Sequence, residues 1–554
     1  MTTARSLADR YHEEWLDAHP FFASELGIPG RDDRVPDDSE EGESRRRAQV
    51  EAVLADARRL RDAQLSPDDT ITLGAVVSAA EQELSELDLA RAEFTVTPMP
   101  FVGPASLLAV AARTILPDAP AAENYLARLR HSGAWIDQLT ERLRAGAAKG
   151  RLPVAHLSQA AIDWTSTVVA LPVPEALRAP HPPQGWDGAA AWATERDALA
   201  EEVVRPALIR WSDQARDLLP RSRSSADVGL VHLPGGSADY DRAILVHTTL
   251  PLTAEDLHRI GLEEVDRLEE RCRRLGAELG LDTLDAVHRA LRESSAGADP
   301  GDAISAAVAA VRRAELAAAG FFQAPLPPAC DVTPMPSVVA ESGMAPHYTP
   351  PRLDGTRPGT YWFNTARPTA GTGWDLEGVA FHEAVPGHHL QLSRIQQLTE
   401  LPDFQRQRSI TVFSEGWGLY AEQLAEEMGL YSDNRALLGA TSAALMRGAR
   451  LVVDTGLHAY GWSRDRALEY YTAHVPMPEA FLANEIDRYI VWPGQALAYL
   501  TGKREVLRLR EEAERSLGSA FSLPQFHAAV LDHGSLPMPV LEQSLRSWMG
   551  GAVS

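Results

Sequence analysis

The chain has 554 residues and a formal net charge of −24, from 53 basic against 77 acidic side chains. A surface of that sign repels phosphate backbones, so nucleic acid is excluded as an expected partner. With 45% hydrophobic and 23% charged residues, and no run of 18 apolar residues, the chain reads as globular with no membrane span.

Charged residues within Met1–Arg10 stand where a signal peptide needs its apolar stretch. Nothing suggests that Cys272 and Cys330 pair, so a reducing cytoplasm is the expected location.

Helical spacing runs from Ser6 to about Leu26 through Leu7, Tyr11, Trp15, Leu16 and Phe21. Further helices are expected at Ser44–Ala63, Thr70–Phe94, Ser106–Ile115, Ala121–Ala148, Val154–Val169 and Ala189–Leu219, with a proline-rich crossing between Leu171 and Gly188. Leu230–Leu233 and Ala243–Leu250 are β-branched and read as strands or extended loop around Gly235 and Gly236. Thr253 reads as the N-cap of a helix reaching about Gly280, followed by another at Asp302–Gly320. Proline-rich sequence from Pro325 to Pro351 carries one apolar piece, Pro336–Ala340. It leads to the best strand candidate, Gly359–Thr365, with its aromatic and β-branched content. Helix resumes at Leu376 and continues through Asp403–Met428, Asp433–Gly456, Arg464–His474, Pro478–Leu500 and Glu505–Leu517. The expected fold is mainly α: a helical body with a small sheet beside the helix that starts at Leu376. Residues 1–225 are expected as an N-terminal helical region and residues 226–554 as the region of the small sheet and the C-terminal helices, within one continuous unit.

The chemistry concentrates in His382-Glu383-Ala384-Val385-Pro386-Gly387-His388-His389. In the HExxH pattern, two histidines one helical turn apart hold zinc and the glutamate activates water. Here the second position is Pro386, which cannot bind metal. On an unbroken helix His388 would sit roughly 120° off the face of His382, and His389 about 10 Å further along the axis. Neither reaches an ion whose ligands lie at about 2 Å. Pro386 clashes with the carbonyl four residues back, and Gly387 supplies backbone freedom. A two-residue bulge after Val385 would therefore bring His388 to the ligand position and leave His389 to line the cleft. The third ligand expected is Glu415, set among Ser414, Gly416 and Gly418, with Glu422 as its competitor on the same helical face.

Phe381–Gln391, Ser414–Glu422, Arg450–Trp462 and Glu485–Lys503 together resemble the bacterial family labelled domain of unknown function 885. That family resembles the gluzincin metallopeptidases, helical proteins with a deep cleft. The resemblance implies one Zn2+ per chain held by His382, His388 and Glu415, with Glu383 as base. It also points to a tyrosine as oxyanion donor: Tyr489 is the candidate, with Tyr499 and Tyr361 behind it. His458, on one helical face with Arg450 and Asp454, is a second candidate donor, and an Arg450–Asp454 ion pair is the plain alternative. Arg488 is expected to grip a substrate carboxylate. Tyr361 and His389 are further substrate-binding candidates, and the Gly359–Thr365 strand is a possible edge for an extended peptide. The expected function is a zinc-dependent hydrolase of peptide or amide bonds in small substrates. A metal-dependent tailoring enzyme on a small metabolite, or a non-catalytic binding protein with a vestigial cleft, stand as alternatives.

Overall fold

Helices account for nearly every element of the computed structural model, which describes residues 3–61, 64–296, 299–335, 340, 345–365 and 373–553. Most lie where the apolar spacing puts them, and their ends follow local chemistry. The first expected helix is two, Ala4–Ala18 and Pro20–Leu26, because Pro20 has no N–H to continue the first. Thr253 caps Ala254–Glu278 through a reciprocal bond with Asp256, as the sequence predicts. The expected Pro478–Leu500 helix is broken at Pro493-Gly494 into Glu479–Val491 and Ala498–Leu517.

The two β-branched stretches before Thr253 are a correction. Leu230–His232 is a 3-10 turn and Gly236–Thr248 an α-helix. The helix buries Tyr240, Ala243, Ile244 and His247, a three-to-four-residue period that overrides their strand preference.

One small sheet stands out against the helices. Its strands are β1 (Asp331–Pro334), β2 (His347–Thr349) and β3 (Thr360–Phe363), in the order β1-β3-β2. β1 runs parallel and β2 antiparallel to β3, with Tyr361 opposite both Val332 and Tyr348. The best strand candidate is thus a strand, but a central one, paired on both sides. Backbone addition of a peptide to it is ruled out, because its hydrogen-bonding groups are already taken. Of the apolar piece Pro336–Ala340, residues 336–339 lie outside the described residues.

The core joins residues from both stretches of the chain, 1–225 and 226–554. Leu7, Tyr11, Val50 and Val76 share one buried cluster with Tyr361, Phe381, Trp417 and Leu541. Residues from Val96 to Leu218 supply a second cluster of their own. Two close helix contacts frame the site. Gly261 of Ala254–Glu278 lies against Leu451 and Val452 of Asn434–His458, and Gly416 of Thr411–Glu427 lies against Gly502 of Ala498–Leu517. Asn434–His458 is long and apolar enough to cross a membrane, but it is mostly buried inside this body. Cys272 and Cys330 are free and buried.

Candidate metal centre

The His382–His389 segment is interrupted more completely than a bulge. Helix Leu376–Glu383 ends at Ala384 (φ −103°, ψ −106°), the Val385–Pro386 peptide is cis, and a new helix, His388–Gln396, starts after Gly387. Gly387 is required: a Cβ there would meet the His382 carbonyl oxygen at 1.9 Å. The break lets the chain turn back on itself. The rings of His382 and His388 then face each other at 86°, their centroids 4.7 Å apart.

Glu415, on the Thr411–Glu427 helix, completes the group. Its Oε2 lies 3.6 Å from His382 Nε2 and 3.5 Å from His388 Nε2. The ligand atoms of the three residues all fall within 4.8 Å of one another. A tetrahedral ion with ligands at about 2.0–2.1 Å holds them about 3.4 Å apart, so the two measured separations fit such an ion. The donor set, two imidazoles and one carboxylate, is one that zinc takes in catalytic sites.

The surrounding groups orient these donors. His382 Nδ1 lies 2.9 Å from Glu422 Oε1, which turns Nε2 toward Glu415. Glu422, the competitor in the sequence, therefore sits behind the histidine. Burial opposes its charge, but Arg447 and His382 hold its carboxyl below the ordinary range. Gly418 makes room for the His382 ring: a Cβ there would meet Cε1 at 2.6 Å and Nε2 at 2.8 Å. Ser414 Oγ lies 3.5 Å from His388 Nδ1. Burial disfavours protonation of His382, yet the surrounding carboxylates outweigh it and push its pKa up to about 9.

Glu383 is 8% exposed and belongs to the same turn as His382. Burial raises its carboxyl, and the charges of His382, His388 and Arg447 act against that rise. Arg447 was not singled out in the sequence. Its signal was its position three residues before Arg450, on the same helical face.

The family model described as a bacterial protein of unknown function (DUF885) matches residues 20–545. The chain belongs to this family. No curated protein matches it. A solved structure similar to this DUF885 chain is that of "the putative lipoprotein from Colwellia psychrerythraea", 25% identical with a TM-score of 0.89, with 100% of each chain covered. Another is "a putative lipoprotein of unknown function from Shewanella oneidensis", 17% identical with a TM-score of 0.74, covering 98% of this chain and 99% of that one.

Several other expected site residues of this DUF885 chain sit elsewhere in the hydrogen-bond network. His389 is buried, its Nε2 2.7 Å from the Pro328 carbonyl oxygen and its Nδ1 3.0 Å from the Tyr348 hydroxyl. It ties the second motif helix to β2 and lines no cleft. Tyr489 is fully buried, and its hydroxyl contacts Arg450 Nε, Glu485 Oε2 and Tyr471 Oη at 3.1, 2.9 and 2.7 Å. It has no capacity left for an oxyanion. Arg488 Nε and Nη2 donate to Glu485 and its Nη1 donates to Gln495. Arg450 and Asp454 do not pair: Asp454 accepts from the Tyr240 hydroxyl and the Gly494 N–H. Tyr361 lies on β3 with a buried hydroxyl that has no hydrogen-bond partner, and after burial the Glu383 charge acts on it most strongly. Two surface concavities, of about 480 and 420 Å3, are lined respectively by Pro539 to Ser547 and by residues between Glu40 and Arg151, and neither reaches the histidines.

His458 is likewise structural. Its Nδ1 accepts from the Leu230 N–H and its Nε2 lies 3.0 Å from the Tyr489 carbonyl oxygen, which fixes the neutral ring with its proton on Nε2. Burial lowers its pKa to about 3. The unfolded chain therefore takes up a proton first as pH falls. The stabilising contribution of His458 is complete above about pH 6.5 and is lost as pH drops toward 3. His458→Leu should lower Tm at pH 7.5 and give a shallower fall of Tm between pH 6.5 and 4 than the unsubstituted chain. Parallel Tm curves would contradict the neutral, buried assignment.

Proposed function

We propose that this chain is a zinc-dependent hydrolase that cleaves peptide or amide bonds in small substrates. The gluzincin resemblance of the motif supports that reading, and one observation carries it. Two histidine nitrogens and a carboxylate oxygen converge at zinc-ligand spacing beside a buried glutamate that immediately follows the first ligand. Bound by His382, His388 and Glu415, zinc would acidify water and polarise a carbonyl.

The chain's own residues supply the rest. Glu383 takes a proton from the attacking water as its oxygen bonds to the carbonyl carbon. It then delivers that proton to the nitrogen as the carbon–nitrogen bond breaks. The oxyanion donor is Tyr499 in place of Tyr489. Of the charges acting on the Tyr499 hydroxyl, Glu415 is the strongest, and the ring is only partly buried. Glu422 holds His382 in the orientation that presents Nε2. The two histidines are each under 10% exposed, which favours small or extended substrates over folded proteins.

A peptide library incubated with zinc-restored protein and read by mass spectrometry tests this reading. Cleavage is expected with zinc and none after chelation. A zinc-loaded chain that cleaves no peptide or simple amide would contradict it.

A further inference from the structure

A buried guanidinium one helical turn beyond Arg447 keeps one nitrogen without a hydrogen-bond partner. Arg450 is 7% exposed and points inward from the Asn434–His458 helix. Its Nε donates to the Tyr489 hydroxyl at 3.1 Å and its Nη2 to Glu485 Oε2 at 2.9 Å. Its Nη1 is buried with no partner. An unpaired N–H on a buried cation is costly to keep, so a fold that needed Arg450 only for packing would gain by pairing it.

The charges of this cluster do not balance either. Arg450 and Arg488 are both hydrogen-bonded to one carboxylate, Glu485, and the tyrosines around them are neutral; Asp454, the other acid close enough for Arg488 to act on, is pushed up by burial to about 7. Positive charge is in excess. Geometry ties it to the site: one turn earlier on the same helix Arg447 Nη2 lies 3.6 Å from Glu422 Oε1, itself 2.9 Å from His382 Nδ1, and the Arg450 guanidinium carbon lies 4.2 Å from the centre of the Tyr499 ring, whose hydroxyl feels the Glu415 charge. Arg447, one turn earlier on the helix, also has a buried Nε without a partner, and its charge is felt by Glu383.

We infer that Arg450 is the carboxylate-recognising residue of this site, selecting substrates with a free carboxylate close to the bond to be cut. The inference rests on the hydrolase reading and narrows its substrates. A planar guanidinium with an open arm matches a carboxylate oxygen, and its surplus charge is the complement of a substrate anion. In Arg488, the sequence candidate for this role, every nitrogen already has a protein partner.

The test compares binding of an N-acylated dipeptide acid with that of its C-terminal amide, by calorimetry, to zinc-loaded Glu383→Gln protein and to metal-stripped protein. The acid should bind roughly 10–100-fold more tightly than the amide to both, as expected of a charge-assisted hydrogen bond. Arg450→Lys, which keeps the charge and loses the open arm, should bring the ratio close to one, with thermal unfolding as the control for folding. Equal binding of acid and amide to the unsubstituted protein, or no binding of either, overturns the inference without any Arg450 variant. So does an acid preference that needs zinc and survives Arg450→Lys, because the metal is then the receptor. Failure of the hydrolase reading looks different: the acid preference stands, but zinc-loaded unsubstituted protein cleaves neither compound.

Discussion

Glu383→Gln is expected to keep its zinc and lose roughly 10²–10⁴-fold in turnover, the usual worth of a positioned general base. The substitution is isosteric and keeps a polar group in a site that is 8% exposed, so the helix Leu376–Glu383 should be undisturbed. What it removes is the ability to accept a proton. Glu383 is not among the three converging donors, so metal content should stay at about one per chain, as a single three-residue site implies. Single-turnover kinetics with a peptide found by the library screen, alongside metal analysis of the same sample, separates the two properties. Activity close to that of the unsubstituted chain would remove Glu383 from the mechanism.

The second large effect falls on a residue with no side chain. A Cβ on Gly418 would lie 2.6–3.0 Å from three atoms of the His382 ring, so Gly418→Ala must push that ring aside. The ring cannot retreat without losing its 2.9 Å contact with Glu422. Disturbing a group that orients a metal ligand typically costs 10–100-fold in metal affinity. Gly418→Ala should therefore weaken zinc binding by at least that range, measured by competition with a chromogenic chelator. Tm of the metal-free protein should change much less than metal affinity does. Unchanged affinity would show that His382 has freedom that the packing denies it.

These two residues also mark how far sequence reasoning carries. The helices were legible because their apolar residues recur at helical spacing and their caps are polar, as with Thr253 and Asp256. His388 was legible because straight-helix geometry fails for both later histidines, which leaves a chain break as the remaining route; Glu415 was legible because the resemblance implies a glutamate ligand on the next helix and small residues flank it. The form of the break was not: an expected bulge is a cis-proline interruption between two helices. Pairwise buried networks were the least legible. Tyr489, His458 and Arg488 each carry a chemically suitable group, yet each is consumed by Glu485, Gln495 or main-chain atoms contributed by other turns or elements. Local spacing contains no record of such partners. The strand at Thr360–Phe363 was read correctly from its residues, while its central place depended on β1 and β2, two short segments with little periodicity.

Metal content tests the centre of this account most directly. Protein purified, stripped and dialysed against zinc should carry about one ion per chain. His388→Ala and Glu415→Ala should lose it, and His389→Ala should retain it with a lowered Tm, since His389 holds Pro328 and Tyr348 rather than the site. Zinc lost from His389→Ala but kept by His388→Ala, with both proteins folded, would contradict the assignment of the site.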